Sequence, residues 1–412
     1  MKKQITLLLL IIIHLSSWSQ KTIPTDGPCT DAMAEKAKGR WIKTTDNLHT
    51  TTHQAEVFKR LDAIHELVLK IYPEPIGVDA VWHRTNRNQF FASQLKIDYN
   101  RDGVPRRNEV NGIPVATYYY TAGFYSYFCA GKNTNEMYQG WPGETGTGIR
   151  VYINSFDAYA GGGVDDPMTI DGRPVRMRSP VKKTWKGYEL LYNDEVSADN
   201  KNDFGGNRRV LIHREGILLY IPVTRKQYLD HSIEHLNEIF DKIIKDTKEL
   251  PVRSLEEQEA EKKNKLAKFE KDFGKDPKRL KSAVDYYLSG YQTDQQRRDE
   301  QVKAQIKNKE DVLKHYQDEL EKTTKEGLLD SPATVRLFHS ADAQTQVFVK
   351  ETEGGSMLIT DNPAYINKNL PKYVPQFMIF SWSWEANPPQ KKIGKIVEAN
   401  FPIEKLQAMI DK

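Results

Sequence analysis

Apolar side chains return every three or four positions at Val57, Leu61, Ile64, Leu67 or Val68, and Ile71. That spacing puts them on one face of a helix, which Pro73 and Pro75 end. The pattern over residues 31–72 predicts two helical pieces, of which this is the second. His65 lies one position past the stripe and reads as a packed or solvated histidine. Over residues 90–223 the period changes to short runs rich in Tyr, Phe, Val and Ile, separated by Gly, Asn and Asp. Residues 113–130 are dense in aromatics and residues 148–156 alternate. Asp171-Gly172 and Glu215-Gly216 sit where hairpin turns fall, with 210–212 and 217–221 as the arms of the second. No helix-length segment intervenes, so the expected sheet is antiparallel.

Near Thr224 the texture shifts again, and as far as Glu326 the chain is rich in Lys, Glu, Gln and Asp with sparse apolar positions. Leu229, Ile233, Leu236, Phe240 and Ile243 form one helical seam, interrupted by Pro251. Ser254 with Glu257 and Thr293 with Gln296 have capping-box spacing, and Asp276-Pro277 supplies a cap followed by a proline at the first helical position. Val302, Ile306, Leu313, Tyr316 and Leu320 follow heptad spacing broken by Lys309. Such narrow seams predict helices that pair with one another as a projecting hairpin or short coiled coil. Strands return after Leu328: 347–351 and 356–360 flank Gly354-Gly355, and 376–384 carries Met378, Phe380, Trp382 and Trp384 on one face. A last short helix turns Ile403, Leu406 and Ile410 inward.

The expected fold class is therefore α+β: an antiparallel β-rich body with an N-terminal helical segment and an inserted long helical hairpin or coiled-coil block. The boundaries read as 20–223 for the helix and β-rich body, 224–327 for the charged helical block, and 328–412 for C-terminal strands and a helix packing on the body.

Residues 1–19 have another pattern. Lys2 and Lys3 precede an apolar run over 7–13 and then Ser17-Trp18-Ser19, the order of a secretory signal peptide cut before Gln20. The run is about half of the roughly 20 residues that cross a bilayer, and no later run is apolar for 18 residues. The expectation is a periplasmic or secreted protein of a bacterial envelope, with no transmembrane span after cleavage. Export lets Cys29 and Cys129, the two cysteines in the chain, form a disulfide. The alternative is a free Cys29 in a loop and a buried, reduced Cys129.

Of 412 residues, 38% are hydrophobic and 28% charged, which points to one highly solvated portion in an otherwise globular chain. The formal charge is +4, or +2 once Lys2 and Lys3 are removed with a leader. Near-balance gives no electrostatic case for nucleic acid.

The sharpest motif for chemistry runs from Asp98 to Glu109. Asp98, Asn100 and Asp102 alternate as oxygen ligands, Gly103 permits a sharp turn, Val104 offers its carbonyl, and Glu109 is at the twelfth position of a calcium loop. Arg101, Arg106 and Arg107 oppose a cation, and the flanks read as strands instead of the helices of an EF-hand. A polar turn between strands is the plain alternative. His231-Ser232-Ile233-Glu234-His235 has the order in which two histidines four apart share a helical face and take one zinc; solvent-facing histidines are the simpler reading. Trp382 and Trp384 are candidates for stacking on sugar rings, against a role in the core. No nucleophile elbow or phosphate loop is present. The functional expectation is an exported, noncatalytic interaction module acting through its helical block on an envelope protein or glycan. The alternatives are a metal-dependent hydrolase, using calcium at the Asp98 loop or zinc at the histidine pair, and a glycan-binding protein.

Overall fold

The computed structural model describes residues 22–99, 105–131, 133–140, 146–163, 168–192, 206–336 and 346–412; the leader read at residues 1–19 lies outside them. The chain is α+β. It divides into a β-rich unit of residues 1–223 and 333–412 and a helical unit of residues 224–332.

In the β-rich unit, six strands define the larger sheet: β1 (Val78–Phe91), β2 (Ile113–Cys129), β3 (Gly148–Ile153), β4 (Tyr188–Tyr192), β5 (Gly206–His213) and β6 (Phe377–Trp384). The spatial order is β1-β2-β3-β6-β5-β4, so the C-terminal β6 enters the middle, between β3 and β5. Short strands at the edges bring the total to eleven among the described residues. Register sorts the side chains: Arg84 and Val151 lie opposite Tyr120, Val151 opposite Phe380, and Phe380 opposite Val210. On that face Tyr118, Tyr120, Phe124, Val151, Phe380, Trp382 and Val210 are buried. They are covered by α1 (Gln54–Ile71), through Val57, Leu61, Ile64 and Val68, and by the C-terminal helices through Ile393, Val397 and Leu406. Each such side chain contributes roughly 1.5–3 kcal/mol by leaving water. Part of the opposite face packs on a five-stranded sheet made by Ala160–Gly163, Arg176–Arg178, Tyr220–Pro222, Thr334–Val335 and Ser356–Asp361.

Several local expectations change. The first helical piece is only Asp31–Lys36. Trp41–Lys43 and Asn47–Leu48 are instead strands pairing parallel with β1, so the sheet is antiparallel except at this edge. Asp79 explains the approach, because its Oδ1 accepts the Arg40 amide at 3.0 Å. Glu215-Gly216 is a turn but not a hairpin. β5 stays in the larger sheet while Tyr220–Pro222 pairs with Ser356–Asp361 in the smaller one, carrying the chain between layers. No strand forms at 347–351; Glu351–Glu353 is a 3-10 turn closed by Gly354 at φ 88°. Asp171-Gly172 does join two paired strands, with φ 52° and 74°.

The helical unit contains α2 (Arg225–Glu249), α3 (Leu255–Phe273), α4 (Pro277–Ser289) and α5 (Asp294–Lys325). Each starts on a side-chain cap: Thr224, Ser254 and Thr293 form full capping boxes, and Asp276 accepts the Arg279 amide. α2 packs along α5, and α3 along α4. Leu229 and Phe240 are buried on α2, whereas α4 buries no residue.

Candidate functional site

The α3–α4 pair, thin in core, forms a cleft of 660 Å³ together with the loops on either side. Its position follows from the caps. Ser254 opens α3 and Thr293 opens α5, and the segments holding these caps are tied together. The Arg253 guanidinium reaches Asp294 at 2.7 and 3.0 Å and Glu261 at 2.5 Å. Hydrogen bonding to Arg253 holds the Asp294 carboxyl down at about 2. Gln258, only 3% exposed, donates to the Arg253 carbonyl and accepts the Asp294 amide, both at 2.7 Å. These bonds engage both ends of the Gln258 amide, so it acts as a buried strut.

Aromatic rings line the wall beyond this strut. Phe269 meets Tyr287 edge-on at 5.8 Å, Tyr287 meets Tyr291 at 5.7 Å, and Phe273 lies 6.4 Å from Phe269. Cations lie over the ladder: Lys262 is 4.6 Å from the Tyr291 ring, Lys265 5.6 Å from Phe269 and Arg279 5.2 Å from Phe273. Each contact is worth about 0.5–1 kcal/mol when exposed, and it aligns a charged head with an aromatic wall. Tyr286, at the lip, is 84% exposed. Burial pushes the Tyr287 hydroxyl above its usual range, so it stays a neutral donor. The cleft thus offers aromatic faces, amide and phenol hydrogen bonds, and positive charge. The local pattern held a usable signal: Phe269 and Phe273 are four apart on one helical surface amid lysines, and Tyr291 follows Tyr287 by four just past the end of α4.

The residues singled out by sequence lie elsewhere. Asp98 and Glu109 are on Gln94–Tyr99 and Pro105–Val110, a paired antiparallel hairpin with Asp98 opposite Arg106 and Leu95 opposite Glu109. Asn100, Asp102 and Val104 lie outside the described residues. His231 and His235 share one face of α2, half-buried, with rings stacked at 5.6 Å. Among the described residues no group of three or more His, Cys, Asp or Glu is placed to hold a metal. Trp382 is 1% exposed and packs between Trp185 and Phe380. Trp384 is half-buried against Gly206 and Gly394. Cys29 and Cys129 are disulfide-bonded. No described helix is long and apolar enough to cross a membrane.

No known protein family, no curated protein and no solved structure matches the chain.

Proposed function

We propose that the chain is an exported binding protein of a bacterial envelope, whose helical unit captures an acidic segment of a partner protein in the α3–α4 cleft. The observation that carries this reading is the joining of an aromatic ladder to uncompensated charge. Residues 262–282 hold nine Lys and Arg against three Asp and Glu, and Lys265 has no ion pair among the described residues. A carboxylate on a partner would meet Lys265, already held beside the Phe269 ring, while an apolar or planar partner side chain covers the rings. The rings supply the larger part of the affinity, and the lysines supply steering and preference for acidic chains. Formation of the Cys29–Cys129 bond supports export, since such bonds persist in oxidising compartments.

Titration calorimetry with synthetic peptides tests the idea. One peptide carries a Trp flanked by Asp and Glu; its counterpart carries Lys in their place. The acidic peptide should bind, and Lys265→Glu or Tyr286→Ala should weaken it at least tenfold while helical circular dichroism is unchanged. Lys265→Glu should in turn improve the basic peptide. Equal affinity for the two peptides, or indifference to both substitutions, rejects the assignment.

A further inference from the structure

Five arginines of the β-rich unit are each met by a carboxylate. Arg84 pairs with Asp46 and Asp62, Arg178 with Glu351 and Glu189, Arg173 with Asp171, Arg176 with Asp157 and Arg214 with Asp411. Arg150 and Arg209 have no such partner among the described residues. Arg150 makes no hydrogen bond or ion pair among the described residues. Arg209, half-buried, donates from Nη1 to the Tyr159 carbonyl at 3.2 Å, yet among the described residues its Nε is buried without a partner and no carboxylate meets it.

Register puts the two on one rung. His83 lies opposite Thr121, Thr121 opposite Arg150, Arg150 opposite Ser381 and Ser381 opposite Arg209, across β1, β2, β3, β6 and β5. Directly paired residues of antiparallel strands share a face, and neighbouring strands are about 4.8 Å apart. Arg150 and Arg209 therefore stand about 10 Å apart at the backbone, with the Ser381 hydroxyl between them. This is the face opposite the α1 core. On one side of the rung, the Tyr119 and Tyr152 rings meet at a tilt of 44° with centroids 5.3 Å apart, and Arg87 donates to the Tyr119 hydroxyl at 2.8 Å. On the other side Gly123 pairs with Gly148. A side chain at Gly148 would meet the Ala122 carbonyl at 2.8 Å, and one at Gly123 the Tyr125 hydroxyl at 2.9 Å, so Tyr125 folds over a floor that has no side chains of its own.

Arg209 is a half-buried guanidinium that no carboxylate among the described residues meets, a desolvation cost left unmet there, and the exposed Arg150 beside it adds a second positive charge. Burial lowers the pKa of Arg209 and of His83, and Arg150 adds like-charge repulsion to both, against the opposing influence of Tyr152 on Arg209 and of Asp46 on His83. An anion on the rung relieves both. We infer that this rung is a binding site for a tetrahedral oxyanion, the phosphate or sulfate group of a small ligand, gripped by Arg150 and Arg209 with hydroxyl donors from Ser381 and Thr121. Donors arriving from two arginines and two hydroxyls on different strands suit oxygens that diverge in three dimensions better than the two coplanar oxygens of a carboxylate. The tilted tyrosine pair beside it would contact whatever planar group the ligand carries.

Calorimetric titration of the intact protein with inorganic phosphate, sulfate and acetate tests the site. Phosphate or sulfate should bind saturably and more tightly than acetate. Arg150→Ala, at an exposed position, should weaken binding at least tenfold without unfolding the protein, Ser381→Ala should weaken it measurably, and Lys268→Ala in the helical unit should leave it unchanged. Absence of saturable binding at about 10 mM phosphate and sulfate, where a site of millimolar affinity would be mostly filled, overturns the inference. So does acetate binding equal to theirs, or a loss in Lys268→Ala matching that in Arg150→Ala.

Discussion

Arg84 shows how single residues hold the β-rich unit together. Its guanidinium forks between Asp46 of the N-terminal segment at 2.6 Å and Asp62 of α1 at 3.0 Å, and it lies 3.7 Å over the Phe58 ring. Burial alone would raise the Asp46 carboxyl, but hydrogen bonds and charge from Arg84 outweigh it and hold the group below 3.8. His65 carries the opposite liability. Its ring stacks on Trp82 at 3.8 Å, faces Trp41, and its Nδ1 shares a 3.0 Å hydrogen bond with the Tyr120 hydroxyl. Burial depresses its pKa below 6.5, and the nearby charges of Glu66 and Asp62, offset in part by Lys43, do not restore it. The folded state thus binds this proton less readily than the unfolded chain. The associated stability is complete above pH 6.5 and is lost as pH falls through the folded pKa. Urea midpoints at pH 7.5 and 5.5 should converge in His65→Gln relative to the parent protein; an unchanged gap between them would remove His65 as a source of acid sensitivity.

Elements differ in how locally they are specified. The helical unit begins its helices on side chains next to the backbone they cap, and in α3 the Ser254 hydroxyl accepts the Glu257 amide at 3.2 Å while Glu257 accepts the Ser254 amide at 2.9 Å. Ser254→Ala should cost about 1 kcal/mol, read as a lower melting temperature of the helical signal at 222 nm. Because that cap also sets the start of the cleft, a loss of peptide affinity should accompany it. A melting temperature equal to the parent's would show that the buried Gln258 strut, not the cap, holds this junction. Strands behave differently. Residues 347–351 have strand-like composition, yet the Ser356–Asp361 strand pairs instead with Arg176–Arg178, Tyr220–Pro222 and Thr334–Val335.

For the molecule, one covalent tie spans the N-terminal part of the β-rich unit. Cys29 precedes the helix Asp31–Lys36, Cys129 ends β2, and the bond closes a separation of 100 residues over a small cluster with Ala34, Tyr127 and Met137. The chain-entropy model assigns such a loop roughly 4.7 kcal/mol, and measured losses run about 2–5 kcal/mol. The Cys29→Ser, Cys129→Ser double variant should unfold at lower urea by that margin and be insensitive to reductant. A midpoint matching the oxidised parent would show that the bond adds nothing to stability.

The amino-acid sequence by itself determined what is settled within a few turns of chain: the stripe that becomes α1, the caps and breaks of the helical unit at Ser254, Asp276 and Thr293, the Asp171-Gly172 turn, and the change of texture near Thr224. These depend on side chains acting on backbone three or four residues away. Tertiary structure alone decided which strands meet. The rung from His83 to Arg209 draws on five strands, one of them contributed by Ser381 from the C-terminal region. No spacing along the chain encodes that meeting, because register is selected by burial of the opposite face. The same holds for Trp382, whose alternation with Trp384 marks a strand face, while burial against Trp185 and Phe380 came only with the assembled sheet.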